Sequence, residues 1–145
     1  LRQVLQGLAT IKHTNVADDT KKNIAIAYAG AGDTKMAWEN ADAIQSRYTR
    51  EFAFERIADI QLESEDFQGT LQTVSYIEKH WGRARVLQKL AKAQAKAGDG
   101  KRALTWSRQE NSPMAKSRAL LGVAEGMLER QGVKELLDEI PPEGR

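Results

Sequence analysis

His13 and His80 are the only imidazoles in the chain, and cysteine is absent. Disulfides, thiolate nucleophiles and thiolate-rich zinc sites are thereby excluded. The two histidines fall near helix ends in different parts of the chain, where an imidazole serves as a solvated or dipole-stabilising group, and a metal held by both is not expected. Glu55 and Asp59 stand one helical turn apart, the spacing at which two carboxylates can divide acid and base work. The row continues through Glu51 and Glu63, however, and a run of acids on one helix face reads as solvated surface. The glycines of YAGAGD, residues 28–33, have no preceding strand and no following Lys-Ser or Lys-Thr, so they close a turn between helices and do not cradle phosphate. The chemistry-bearing side chains thus imply neither catalysis nor a bound metal or cofactor.

Charge offers more. The acidic row Glu51, Glu55, Asp59, Glu63 is followed, one stretch further along the chain, by the basic row Arg85, Lys89, Lys92, Lys96. The two rows are expected to face each other and pair, Asp59 with Lys92 and Glu63 with Lys96, or else to leave part of the basic row for acidic groups of a partner. Residues 51–79 hold seven acidic and two basic side chains, whereas 82–118 hold two acidic and ten basic ones. Such asymmetry steers an incoming partner. Nucleic-acid contact through 82–118 is a further alternative, although Trp81 and Trp106 beside it belong to no stacking motif. Trp81 is the better candidate interface anchor of the three tryptophans, because Trp38 shares a column with Leu71 and Leu104 and reads as core.

The elements that must carry these residues follow from a repeat. Asp33, Asp66 and Asp99 stand at equal intervals, and Ile24, Ile57, Leu90 and Val123 keep the same step, each followed by alanine. Ile11, Ile44 and Ile77 form another column, and Ala37, Thr70 and Ala103 a third. Within a unit Phe54, Ile57, Ala58 and Gln61 recur at helical steps, as do Leu71, Val74 and Ile77 after the aspartate. Each unit is therefore two helices, with the aspartate capping the second. Gly32 and Gly98 supply the preceding turn, and Glu65 holds that place in between. Helices are predicted over 2–12, 18–31, 34–46, 50–64, 67–80, 83–97, 100–109, 113–131 and 134–139. Ser112 and Pro113 start the last long one, and Pro141 and Pro142 end the helical region.

Leu90 and Ala91, then Gly98, then Ala103 resemble the tetratricopeptide repeat, in which small residues let two helices approach closely. The likeness extends over nearly the whole chain. The period is one short of the family's roughly 34 residues, and Gln61, Gln94 and Met127 stand where the family often has an aromatic. Other helical-hairpin solenoids are near alternatives. The resemblance implies an all-α solenoid of antiparallel hairpins forming a single domain over 1–145, with a partial unit 1–17 and units 18–50, 51–83, 84–116 and 117–145. It further implies a protein-interaction scaffold that takes a partner protein or peptide, an acidic one among the candidates, on its first helices. The residues assigned to that face are Lys22, Asn23, Glu55, Asp59, Arg85, Gln88, Lys92 and Lys96, with Trp81 at a unit junction. Lys22 and Asn23 suit a carboxylate clamp of the family's kind, but Glu55, Arg56 and Asp59 break its pattern.

The competing expectation is an accessory subunit packed in a complex through its outer surfaces and ends. Leu5, Leu8 and Ile11 of the opening helix call for a neighbour, which suggests self-association, and the start at Leu1 suggests a larger parent chain or assembly. No apolar run reaches the roughly 20 residues that span a bilayer, so a soluble protein is expected, with the compartment, cytoplasm or periplasm, left open by the sequence.

Overall fold

The computed structural model describes the backbone of residues 2–78 and 80–139, and the side chains of 13–78 and 80–132. The fold is all-α: α1 (Arg2–Gly30), α2 (Thr34–Asp42), α3 (Arg47–Glu63), α4 (Phe67–Val74), α5 (His80–Lys96), α6 (Gly100–Gln109) and α7 (Pro113–Glu139), with no strand among the described residues. Long odd-numbered helices alternate with short even-numbered ones. Every substantial contact joins helices one or two places apart in this order. No helix among the described residues is long and apolar enough to cross a membrane.

Two expected breaks do not occur. α1 runs unbroken where separate helices over 2–12 and 18–31 were predicted, so the predicted unit boundary at residue 17 lies inside a helix. Lys12–Ala17 contains neither proline nor glycine, and repeat phase alone cannot interrupt a helix that lacks a breaker. α7 likewise passes straight through Gly132, whose cost in a helix is only about 1 kcal/mol relative to alanine. The side chains of Leu5, Leu8 and Ile11, the side chains of segment 134–139, and Pro141 and Pro142 lie outside the described residues.

The three turns between odd and even helices are built alike. Gly32, Glu65 and Gly98, equally spaced along the chain, all take positive φ, at 80°, 57° and 104°. The next amide, that of Asp33, Asp66 or Asp99, donates to the carbonyl of Tyr28, Gln61 or Gln94 at 2.9, 2.8 and 3.0 Å, which closes each first helix in a left-handed cap. The Asp33 carboxylate then accepts from the Met36 amide at 3.1 Å and that of Asp66 from the Gly69 amide at 2.8 Å. Asp99 makes no such bond; its carboxylate accepts from Gln94 Nε2 at 3.3 Å.

The columns of the sequence fill the core. Ile57, Leu90 and Val123 are buried, as are Ala25, Ala58 and Ala91, Ile44 and Ile77, and Ala37, Thr70 and Ala103, while Ile24 of the first column is exposed. Full burial of each large aliphatic side chain contributes about 1.5–3 kcal/mol. Trp38, Leu71 and Leu104 pack on the rim of this core. Tyr76 stacks on Phe54 with ring centres 4.9 Å apart and lies 5.5 Å from Trp38.

Buried polar groups tie successive elements together. Thr73 Oγ1 donates to Gln61 Oε1 at 2.6 Å while accepting from Trp38 Nε1 at 2.8 Å, and Trp106 Nε1 donates to Gln94 Oε1 at 2.8 Å. The two glutamines, one repeat apart, thus join α3 to α4 and α5 to α6 by hydrogen bonds. Asp18, 1% exposed, accepts from the amides of Gln45 at 3.0 Å and Ser46 at 2.7 Å. One repeat further on, buried Glu51 accepts from the Glu78 amide at 3.1 Å. α2 and α4 end short of the predicted 46 and 80 because the chain leaves helical geometry there, and in that geometry these amides meet the carboxylates.

Candidate interaction surface

The charged rows lie where α3, α5 and α7 run side by side. Serine caps fix where two of these helices begin: Ser46 accepts from the Thr49 amide at 3.3 Å before α3, and Ser112 Oγ accepts from the Ala115 amide at 3.4 Å before α7. Contact between the odd helices is closest at α5 and α7. A Cβ built on Gly122 would overlap the carbonyl oxygen of Gln88, and one on Gly126 that of Lys92. Small residues at these points bring the two backbones together.

The expected pairing of acids with bases occurs in a different register. Glu55 bonds Arg85, and Asp59 bonds Lys89 at 2.7 Å. Lys92 and Lys96 turn instead to Glu129 on α7, at 2.6 and 3.2 Å. Asp59 with Lys92 and Glu63 with Lys96 are therefore replaced as partners, because packed helices interlock their side chains on either side of the repeat register rather than on it. Glu51 is not part of the exposed acidic row; its carboxylate is buried. Glu63 stands exposed.

The remaining assigned residues lie on α1 and α5. Lys22 pairs with Asp19 at 2.8 Å on α1, and Asn23 beside it is exposed, both away from the α3–α5–α7 rows. Gln88 donates to Glu125 at 3.3 Å and accepts from Arg118 at 3.1 Å. Trp81 is 70% exposed at the start of α5. His13 and His80 are both exposed, and no three His, Cys, Asp or Glu side chains among the described residues assemble as metal ligands.

Electrostatics at the α5–α7 junction follow from its bonds. The hydrogen bond to Glu129 holds the Lys92 ammonium above its ordinary pKa, and the bonds from Lys92 and Lys96 hold the Glu129 carboxyl below its own. Both ends of the pair are thus fixed in their charged forms.

Large apolar side chains complete the surface and are distributed unevenly. Val16, Ile24, Tyr48, Phe52, Trp81, Met114, Leu121, Met127 and Leu128 are exposed on odd-numbered helices, and none is exposed on α2, α4 or α6 among the described residues. Tyr76, also exposed, lies in the link after α4 with one face on Phe54. Trp81 alone stood out from the sequence as an anchor. Tyr48 and Met114 carry a legible signal nonetheless, since each stands one repeat away from Trp81. Comparison with family models, with curated proteins and with solved structures yields no match to this chain.

Proposed function

We propose that the chain is a protein-interaction scaffold, a tetratricopeptide-like solenoid of helical hairpins forming one domain, that holds a partner protein or peptide on its odd-numbered helices. The observation that carries this reading is that, among the described residues of the helices, exposed large apolar side chains are confined to α1, α3, α5 and α7. Chance exposure would scatter them over both sets of helices; their concentration on one set is what an interaction surface on those helices would produce. The repeated turns and the neighbour-only contacts support a solenoid, whose stacked units offer an extended binding face. Function as a non-enzymatic module agrees with the ion-paired state of the charged residues between α3 and α7. The same pairing weighs against nucleic-acid binding through 82–118, since Arg85, Lys89, Lys92 and Lys96 already face carboxylates of the chain.

A photo-cross-linking residue placed at Gln88 on α5, and separately at Arg108 on α6, tests the reading against the native partner in cells of the source organism. The expected adduct forms from Gln88. Adducts formed only from Arg108 would sink it.

A second reading, end-on packing of an accessory subunit, rests on one observation. Ala91, Gln94 and Ala95 are buried on α5, but their counterparts one repeat later, Ala124, Met127 and Leu128, are exposed on α7, Leu128 by 69%. Leu128→Glu would then abolish co-purification with the complex while leaving Gln88 adducts intact.

A further inference from the structure

Tyr48, Trp81 and Met114 are each the second residue of an odd-numbered helix, α3, α5 and α7, and stand at equal intervals in the chain. They are 72%, 70% and 41% exposed. One turn further along the same helices a second row, Phe52, Arg85 and Arg118, keeps the same spacing. At the middle station a cleft of about 330 Å³ opens beside Trp81, lined by Gly82, Ala84, Glu55, Arg85 and Arg118.

One donor at this cleft has no acceptor and one cation has no carboxylate partner among the described residues. Trp38 and Trp106 both donate their indole N–H groups within the chain, to Thr73 and Gln94, whereas the Trp81 indole has no acceptor among the described residues. Arg85 is neutralised by Glu55, but Arg118 bonds only the neutral Gln88 amide and pairs with no carboxylate among the described residues. The cleft therefore combines an apolar wall, a free N–H and an uncompensated guanidinium, and its complement is an apolar, carbonyl-rich and acidic ligand.

Resting on the scaffold reading above, we propose that this row binds an extended, polyproline-II-like acidic segment of a partner protein, with an apolar side chain or proline at every third position and a carboxylate set on Arg118. The spacing selects the conformation. Packed helices lie about 8–10 Å apart, and a polyproline-II chain, rising about 3.1 Å per residue with three residues per turn, presents residues i and i+3 on one side about 9 Å apart. On the closely packed α5 and α7, where the helices meet backbone to backbone, successive stations of the row match successive turns of such a chain. A helix about 10–12 Å across does not enter a cleft of this size, while aromatic side chains with exposed faces are the recurrent acceptors of polyproline-II segments.

The test is calorimetric titration of the full chain with a synthetic peptide of repeated Leu-Pro-Glu triplets, beside a Leu-Pro-Lys peptide and an alanine-rich helical peptide bearing the same acids. The acidic extended peptide is expected to bind with saturation and the other two not. Trp81→Ala and Arg118→Gln should each weaken it roughly tenfold or more, with helix content unchanged by circular dichroism because both side chains are exposed. Absence of saturable binding, equal binding of the acidic and basic peptides, preference for the helical one, or sedimentation showing the row closed in a dimer would each overturn the proposal. Persistence of the Gln88 adduct in the Trp81→Ala variant would refute this row while leaving the scaffold reading standing, so the two failures are distinct.

Discussion

Asp18 is the side chain on which the first junction depends. Burial would raise its pKa, but the Gln45 and Ser46 amides and the nearby Lys21 ammonium outweigh that and hold it below its ordinary value. An unfolded aspartate titrates near pH 3.9. Between the folded and unfolded values the native chain binds fewer protons than the unfolded one, so stability rises with pH there. The contribution is complete above the unfolded value and is lost as pH falls through the folded one. Asp18→Ala should lower unfolding free energy at pH 7 by about 1–3 kcal/mol, the cost of stranding two partly buried amides that met a charged acceptor. Urea titrations of both proteins at pH 7 and pH 3 check this: the gap should narrow at the lower pH, and a constant gap would refute the role of the charge. Asp18 and Glu51 were legible as a column at the repeat spacing, yet a carboxylate in a periodic sequence reads as exposed, and only the fold reveals that backbone amides arrive to meet it.

Helix ends and helix contacts respond to smaller changes. Glu65 holds the left-handed position that Gly32 and Gly98 hold in the other two turns, and a left-handed conformation costs an L-residue about 1–2 kcal/mol. Glycine loses about 0.5–1 kcal/mol of that gain to backbone entropy. Glu65→Gly should therefore stabilise the protein by roughly 0.5–1 kcal/mol in thermal unfolding, and destabilisation would show that the Glu65 side chain contributes more than its backbone costs. At the α5–α7 contact the sign reverses: Gly126→Ala must displace the Lys92 carbonyl and should cost about 1–3 kcal/mol. Gly132→Ala on the same helix meets nothing within 4 Å and should be neutral or stabilising by up to about 1 kcal/mol. Comparable losses from both would rule out close packing as the cause. The turns at Asp33, Asp66 and Asp99 could be read from the sequence because they are local, fixed by a handful of adjacent residues. Continuity of α1 and α7 could not: in α1 the repeat phase suggested a break where the chain has no residue to make one, and in α7 one where Gly132 costs too little to make it. The partners of Lys92 and Lys96 were hidden for a third reason: they depend on how far one helix slides along the next, which the period leaves open.

Across the whole molecule the junctions are unequal. α5 and α7 meet backbone to backbone, whereas the step from α3 and α4 to α5 is the thinnest in the series. Two ion pairs, Glu55 with Arg85 and Asp59 with Lys89, bridge that step across partly exposed surface. Exposed pairs contribute about 0–1 kcal/mol each and weaken as salt screens them. With contacts confined to neighbours, loss at one joint need not unfold the rest. The chain should accordingly open first between α1–α4 and α5–α7, and more readily in salt. Native-state hydrogen exchange at low and at roughly 1 M salt measures this, since the Debye length falls there to about 3 Å. Amides of α5 and α7 should exchange together and remain the most protected, those of α1–α4 should form a second, less protected group, and salt should widen the difference. A single exchange free energy shared by all seven helices would mean that cooperativity crosses the α3–α5 step undiminished and that the two ion pairs are not what limits it.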